Sequence, residues 1–420
     1  MNAMSTTGTT NAMRRVVVTG MGGVTSLGQN WADIEAALRS RRNAVKYIGA
    51  WDRFGTLHTR LGCPLPAFVT PVSYPRKKIR SMGPMSLYAV RASEFALQHA
   101  GLADDKTIAD GRMGVAYGSS SGSVEPVLAF AAVLTTGSTT SVTPNGYIQM
   151  MPHTTAVNVS LFWDLKGRVI PTSSACTSGS QAIGYAYEAI ATGKQVLMLA
   201  GGADELSVPT VAVFDTLYAT STRNAEPDLT PRPFDAARDG LVLGEGAATL
   251  VLEEYEHARA RGATIHAEIV GFATNSDGMH ITQPTAATMA VAMRMALADA
   301  HLPADAIGYV NAHGTATDLG DVAESHATAQ VLGERVPISS LKSYIGHTLG
   351  ACGAIEAWWT IEMMKRDWYA PTLNLDRVDP ACASLDYIRG EARALDAEFV
   401  MSNNFAFGGI NTSLIFRRMV

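Results

Sequence analysis

Cys176 stands in Ser173-Ser174-Ala175-Cys176-Thr177-Ser178-Gly179-Ser180, between an apolar strand-like run, Val169 to Pro171, and a helix-like stretch, Gln181 to Ala191. A thiol at the mouth of a helix meets unpaired backbone N–H groups and the positive end of the helix dipole. Both favour thiolate, the form that attacks carbonyl carbon. Free cysteine more often behaves as a small buried hydrophobe, so this position alone does not make a nucleophile. Two histidines change the balance. His313 follows the apolar run Ile307 to Val310 and opens a Gly/Thr-rich turn; His347 follows Val336 to Ser339 and precedes a long apolar helical pattern. A single histidine in such a place is usually structural. A cysteine and two histidines, all at strand-to-turn junctions where α/β proteins assemble chemistry, are harder to read as three satisfied core groups.

The elements that would carry them alternate. Strand-like runs cover Val16–Thr19, Gly114–Tyr117, Val196–Ala200, Ala267–Val270, Ile307–Val310 and Phe399–Ser402, and helical patterns cover Trp31–Arg39, Ser86–Ala100, Thr288–Ala300, Asp321–Leu332 and Ala354–Arg366. The alternation predicts an α/β chain. Pro171-Thr172-Ser173-Ser174-Ala175 and Pro337-Ile338-Ser339-Ser340-Leu341 each close a strand-like run and lead toward a Gly-containing helix, which predicts two packed repeats with reactive groups at equivalent corners. No Pro-rich or low-complexity linker separates the halves, so one fused unit is expected.

An ordered series of motifs then carries a resemblance across nearly the whole chain. It runs from Val16-Val17-Val18-Thr19-Gly20-Met21-Gly22 through Ser221-Thr222-Arg223-Asn224, Arg232-Pro233-Phe234-Asp235 and Arg238-Asp239-Gly240-Leu241-Val242-Leu243-Gly244-Glu245-Gly246-Ala247 to Ser402-Asn403-Asn404-Phe405-Ala406-Phe407-Gly408-Gly409-Ile410-Asn411. With Cys176, His313 and His347, the chain resembles elongating β-ketoacyl-acyl-carrier-protein synthases, condensing enzymes of the thiolase superfamily. Initiating condensing enzymes carry asparagine where this chain has His347. Thiolases need a second catalytic cysteine, and Cys352 reads instead as a packed helix residue. The resemblance implies a five-layer αβαβα thiolase fold: a flexible extension over 1–13, an N-terminal half over 14–264 carrying Cys176, and a C-terminal half over 265–420 carrying His313 and His347.

It also implies roles. Cys176 takes the acyl group, and the backbone N–H groups of Cys176 and Phe407 form the oxyanion hole. His313 and His347 stabilise the enolate left when a malonyl thioester loses carbon dioxide. Lys342 is the fourth catalytic residue and lies inside, near the histidines, with Glu324 as ionic partner and Asp321 nearby. Asp321 and Glu324 are spaced i, i+3 and share a helix face. Phe407 gates the acyl pocket, supported by Phe405 and by Gly408 and Gly409, which permit close backbone approach and a backbone swing. Ile410 stands where threonine is common, Ala406 where glycine is common, and Ser121 where a larger residue often limits the acyl chain. Arg76, Lys77, Lys78 and Arg80, the densest basic run, match a docking region for an acidic acyl carrier protein. No cofactor is held by the chain, because phosphopantetheine arrives on the carrier. A homodimer, or a heterodimer with a chain-length subunit, is implied. Arg76 to Met85 and Ser173 to Ser180 are similar to relatives from polyketide-type clusters, including those making aryl polyenes. The rival readings are a non-catalytic chain-length subunit, against which Cys176 speaks, and a Cys/His thioester hydrolase.

Composition sets outer bounds. With 420 residues, 47% hydrophobic and 17% charged, the chain can bury a large core. A net charge of −5 argues against nucleic acid as partner. Four cysteines without CxxC spacing suggest neither a disulfide framework nor a metal site, and a reducing cytoplasm is expected. Met1 to Met13 lacks the basic-then-apolar pattern of a signal peptide, and no apolar run reaches the roughly 18 residues of a membrane span.

Overall fold

The computed structural model describes residues 13–419. Apart from Met13, the expected N-terminal extension lies outside them. Ten of the eleven strands of the main sheet build the core, the short edge strand Asp386–Tyr387 being the other: β1 (Val16–Thr25), β2 (Met113–Gly118), β3 (Val169–Thr172), β4 (Leu197–Asp204), β5 (Gly246–Glu254), β6 (Ala267–Ser276), β7 (Ile307–Asn311), β8 (Pro337–Ser339), β9 (Phe399–Ala406) and β10 (Ile410–Arg418). The first five lie in the order β3-β2-β4-β5-β1 and the last five in the order β8-β7-β9-β10-β6, the same arrangement used twice. Strand directions repeat as well. β2 is parallel to β3 and β4, as β7 is to β8 and β9. The other neighbours within each half are antiparallel. β1 and β6 pair antiparallel at the seam, Val16 opposite Ile269, and join the halves into one continuous sheet.

Six helices complete the layers: α1 (Pro84–His99), α2 (Thr154–Phe162), α3 (Ser178–Ala191), α4 (Ala286–Asp299), α5 (Asp318–Leu332) and α6 (Cys352–Met364). α3 and α6 touch each other and strands of both halves, whereas α1 and α2 cover the outside of the first half and α4, flanked by α5, the outside of the second. This is the αβαβα sandwich of the thiolase fold. Sequence dictates who goes to the middle. Every residue of α6 and most of α3 are buried, and a helix that is apolar or small on nearly all faces has no face to give to water. β1 and β4 are likewise buried along their whole length, as strands covered on both faces must be. Among the described residues, no helix is long and apolar enough to cross a membrane.

The two strand-to-helix corners are equivalent but unequal in length. β3 reaches α3 through one 3-10 turn, Ala175–Thr177, whereas β8 reaches α6 through a helical turn, Lys342–Ile345, the His347 loop and a 3-10 turn, Leu349–Ala351. Ala175 and Leu349, each the first residue of its 3-10 turn, both take left-handed backbone, φ 49° and 51°. The second corner has an insertion, and that insertion carries Lys342 and His347. The corners meet because backbone approaches backbone. A Cβ on Gly202 of β4 would stand 2.2 Å from Gly350 O and 3.0 Å from Gly179 Cα. Gly202→Val is therefore expected to cost about 3 kcal/mol of stability through overpacking. Urea unfolding measures it, and an unchanged midpoint would mean that the turn can retreat.

Candidate active site

Cys176 is presented on the sharp turn after β3, next to Ala175 in its strained left-handed conformation. His313 follows β7 on a loop that α5 holds from below. Glu324 accepts from the backbone N–H groups of His313 and Gly314, both at 2.7 Å, and Asp321 accepts from those of Phe234, Thr315 and Ala316. His347 is fixed by its own N–H, which donates to Val242 O at 2.7 Å. The sulfur of Cys176 and one ring nitrogen from each of His313 and His347 all lie within 4.8 Å of one another, and all three residues are buried. They line a cavity of about 430 Å³ together with Phe405, Phe407 and Gly409. The convergence expected from sequence is present.

His347 Nε2 is 3.0 Å from Cys176 Sγ. Its other nitrogen, Nδ1, faces the Leu349 backbone N–H at 3.2 Å and must accept there, which assigns the ring proton to Nε2. His313 Nδ1 faces Asn404 Nδ2 at 3.4 Å, and the two imidazole rings meet edge to face at 5.1 Å. Burial, with Lys342 nearby, holds both imidazoles well below the usual histidine range, so both are neutral at physiological pH. The backbone N–H groups of Phe407 and of Cys176 itself point at the sulfur. The Phe407 ring stacks on Phe214, centroids 5.1 Å apart, and Gly408 and Gly409 beside it adopt left-handed backbone.

Several expectations need correction. Lys342 is buried but its partner is Glu356 of α6, Nζ to Oε1 2.5 Å, not Glu324. Glu324 is spent on the two amides of the His313 loop, and it reaches Lys342 only as a more distant charge. Burial opposes the Lys342 ammonium, but Glu356, with Cys352 and Glu324 adding to it, holds the amine protonated above its ordinary range. Lys342 and Asp321 do not line the cavity, and neither does Ser121. The thiol also differs from expectation. Burial pushes Cys176 up to about 11 although Lys342 and the two N–H donors pull it down; removing the sulfur from water costs the anion more than the helix end returns. Cys352 is a packed residue as expected, its Sγ 3.2 Å from Cys176 O. In the basic run, Arg76, Lys77 and Arg80 are exposed, whereas Lys78 is tied to Phe162 O and Asp164, each at 2.7 Å. Glu356 and Asn404 were not singled out from sequence. The available signal was a lone carboxylate inside the apolar run Cys352–Trp359, which has to be paired once buried.

The family model "Beta-ketoacyl synthase, N-terminal domain" matches residues 13–258, and "Beta-ketoacyl synthase, C-terminal domain" matches 266–376. The chain belongs to the β-ketoacyl synthase family. It is thus a condensing enzyme of acyltransferase type. A 3-oxoacyl-[acyl-carrier-protein] synthase 2 of Vibrio cholerae is 40% identical over 414 residues, covering 97% of this chain and 99% of its relative. The crystal structure of a β-ketoacyl synthase from Burkholderia phymatum is 77% identical with a TM-score of 0.96, covering 97% of this chain and all of the other. A type II polyketide acyl-carrier protein in complex with its ketosynthase bound to the hexaketide contains a chain 30% identical with a TM-score of 0.86, covering 97% of this chain and 100% of that one.

The raised thiol predicts a pH profile. Below a pKa of about 11 the thiolate fraction grows tenfold per pH unit. Iodoacetamide should therefore alkylate Cys176 about 100-fold faster at pH 9 than at pH 7. Peptide mapping of the labelled cysteine gives the rate, and a plateau near neutrality would show that the helix end and donors win over burial.

Proposed function

We propose that the chain extends acyl chains by decarboxylative Claisen condensation, with Cys176 as acyl acceptor and His313 and His347 as donors to the enolate. The observation that carries this reading is the meeting of one sulfur and two neutral imidazoles in the lining of a single cavity. Cys176 attacks the carbonyl of an acyl thioester. The oxyanion sits against the N–H groups of Cys176 and Phe407, and the carrier thiol leaves with a proton. A malonyl thioester then enters. Its carboxylate carbon–carbon bond breaks, carbon dioxide departs, and the electron pair passes to the thioester oxygen, which receives Nε2–H of both histidines. One such donor is worth roughly 3 kcal/mol in comparable sites. The enolate carbon attacks the acyl-Cys176 carbonyl, the carbon–sulfur bond breaks, and the Cys176 thiolate regains a proton.

The tautomer of His347 separates this reading from thioester hydrolysis and from a metal centre. A thioester hydrolase needs an imidazole whose lone pair faces the thiol or water, and here that nitrogen bears hydrogen. A metal centre of the Cys-His-His set would likewise need that lone pair, with the remote N–H given to an acceptor; the Leu349 amide offers the opposite. No cofactor is held by the chain in this reading; the pantetheine arm brings the substrates. Swinging of Phe407 about Gly408 and Gly409 opens the acyl pocket.

An acyl carrier protein is the partner, as in the carrier complex of the related ketosynthase. It docks on the exposed Arg76, Lys77 and Arg80, while Lys78 anchors their helix to Asp164. A second copy of the chain covers the other unpartnered face. The helix Val127–Thr136 is apolar yet has no buried residue, Leu128 and Leu134 are exposed, and β3 is the free edge of the sheet, an arrangement that invites self-pairing.

Cys176→Ala should abolish β-ketoacyl product while retaining carbon dioxide release from malonyl carrier; condensation at the original rate would refute the nucleophile assignment. His347→Ala should lower decarboxylation about 100-fold and acyl loading far less, measured by released carbon dioxide and by mass of the acyl-enzyme; equal losses would reject that division. Reversing Arg76, Lys77 and Arg80 to glutamate should raise KM for carrier-bound substrate most at low salt, and steady-state kinetics at two ionic strengths would expose a patch with no such effect. In sedimentation, the chain should be a dimer that Leu128→Glu with Leu134→Glu converts to monomer.

A further inference from the structure

We infer that Asn404 is a positioning residue that fixes the tautomer of His313, its amide oriented in turn by the Lys342–Glu356 ion pair. Asn404 projects from β9 into the buried layer against α6. Its amide nitrogen lies 2.7 Å from Glu356 Oε2, 3.4 Å from His313 Nδ1 and 3.7 Å from Cys352 Sγ. Its amide oxygen is buried and has no partner among the described residues; it faces Gly353, where a Cβ would come within 2.7 Å of it. An amide free to choose would turn to satisfy that oxygen. The carboxylate forbids the turn, because the flipped amide would set two acceptors 2.7 Å apart. One amide hydrogen thus goes to Glu356 and the other side of the nitrogen is left for His313.

An imidazole nitrogen that meets an N–H can only accept. His313 therefore carries its proton on Nε2, the nitrogen left to face the cavity, as His347 does through the Leu349 amide. The two histidines reach the same tautomer by different means, a backbone group that cannot reverse and a side chain that can. Lys342 completes the chain of influence. It binds Glu356 Oε1 and touches no part of the cavity. Without it, the buried Glu356 would take a proton, its O–H would attract the orphan amide oxygen, and the reversed amide would draw the His313 proton to Nδ1. Lys342 is in this sense a positioning residue two steps removed from the reacting atoms.

The inference rests on the proposed role of His313 toward the enolate, but the tautomer can be read independently. Long-range proton–nitrogen correlation spectra of the full chain labelled with nitrogen-15 histidine, assigned with His313→Gln, should show the His313 proton on Nε2. Asn404→Asp keeps the shape, and shared protonation with Glu356 leaves an acceptor facing Nδ1, so the proton should move to Nδ1. Asn404→Leu should give a mixture, and Lys342→Met should shift toward Nδ1. Decarboxylation of malonyl carrier should fall about 100-fold in kcat for Asn404→Asp, with KM changed less than about twofold and acylation of Cys176 retained. An Nε2–H signal in wild type that persists in Asn404→Asp overturns the inference, and so does wild-type protonation at Nδ1. A tautomer that shifts without loss of decarboxylation upholds the positioning role and removes His313 from the enolate. Asn404→Asp decides if the leucine variant fails to fold.

Discussion

Everything in this site depends on how closely the two central helices approach each other and the strands around them. Gly179 and Gly353, on α3 and α6, and Gly202 and Gly350 beside them leave no room for a Cβ: each would meet backbone or side-chain atoms at 3.0 Å or less. Because the backbones touch, the N-terminal turns of α3 and α6 end up side by side, with Cys176 on one and His347 just ahead of the other. The Cys352 thiol bonds to Cys176 O across the junction, and Asp204 at the end of β4 receives the Gly350 amide at 2.6 Å. A duplicated fold would otherwise present two separate corners. The small residues turn them into one site, with the positive ends of two helices aimed at the same place.

That placement has an electrostatic consequence. The site is deeply buried, so it cannot keep free charge cheaply. Its histidines are neutral, its thiol holds its proton, and the buried cations beside it are matched, Lys342 by Glu356 and the cavity-lining Arg238 by Asp379, each at 2.5 Å. The resting site therefore offers oriented N–H dipoles with little net charge. Dipoles fixed in advance in a water-poor cavity are worth most when charge appears on the substrate, and in the proposed reaction it appears twice.

The sequence made the corners legible and left their surroundings obscure. Cys176, His313 and His347 each follow a strand-like run bounded by Gly, Ser or Thr, and those signals are local. The helix Trp31–Arg39 has the bounds its periodicity predicts. The helix Thr154–Phe162 was missed because Thr-Thr-Ala-Val-Asn-Val-Ser reads as strand by propensity, and packing against α1 and β2 overrides it. β5 and β10 share only their first two residues, Gly246-Ala247 and Ile410-Asn411, with stretches recognised as motifs, and the rest of each strand is not among the strand-like runs. Two misreadings at the site share a cause. Whether Glu324 or Glu356 meets Lys342, and whether burial or the helix end governs the Cys176 thiol, depend on depth and direction, which linear spacing does not encode.

The donors fall into two pairs of different kind, and the chemistry explains why. In the proposed reaction, acyl transfer to Cys176, and later attack on the acyl-Cys176 carbonyl, both pass through an oxyanion fixed relative to the sulfur. Two backbone N–H groups, on the cysteine and on Phe407, suit that fixed point because both belong to the backbone around the sulfur, that of Phe407 whenever the gate is closed. The enolate oxygen belongs to a second substrate that enters and leaves at every cycle, and it must be polarised without being protonated outright. Neutral imidazoles are weak acids, so they can donate to that oxygen and retain the proton, which an imidazolium would tend to lose to the carbanion. Burial beside Lys342, which keeps both rings uncharged, then serves the reaction as well as the fold: it favours donors that stabilise developing charge over acids that would quench the nucleophilic carbon before it reaches Cys176.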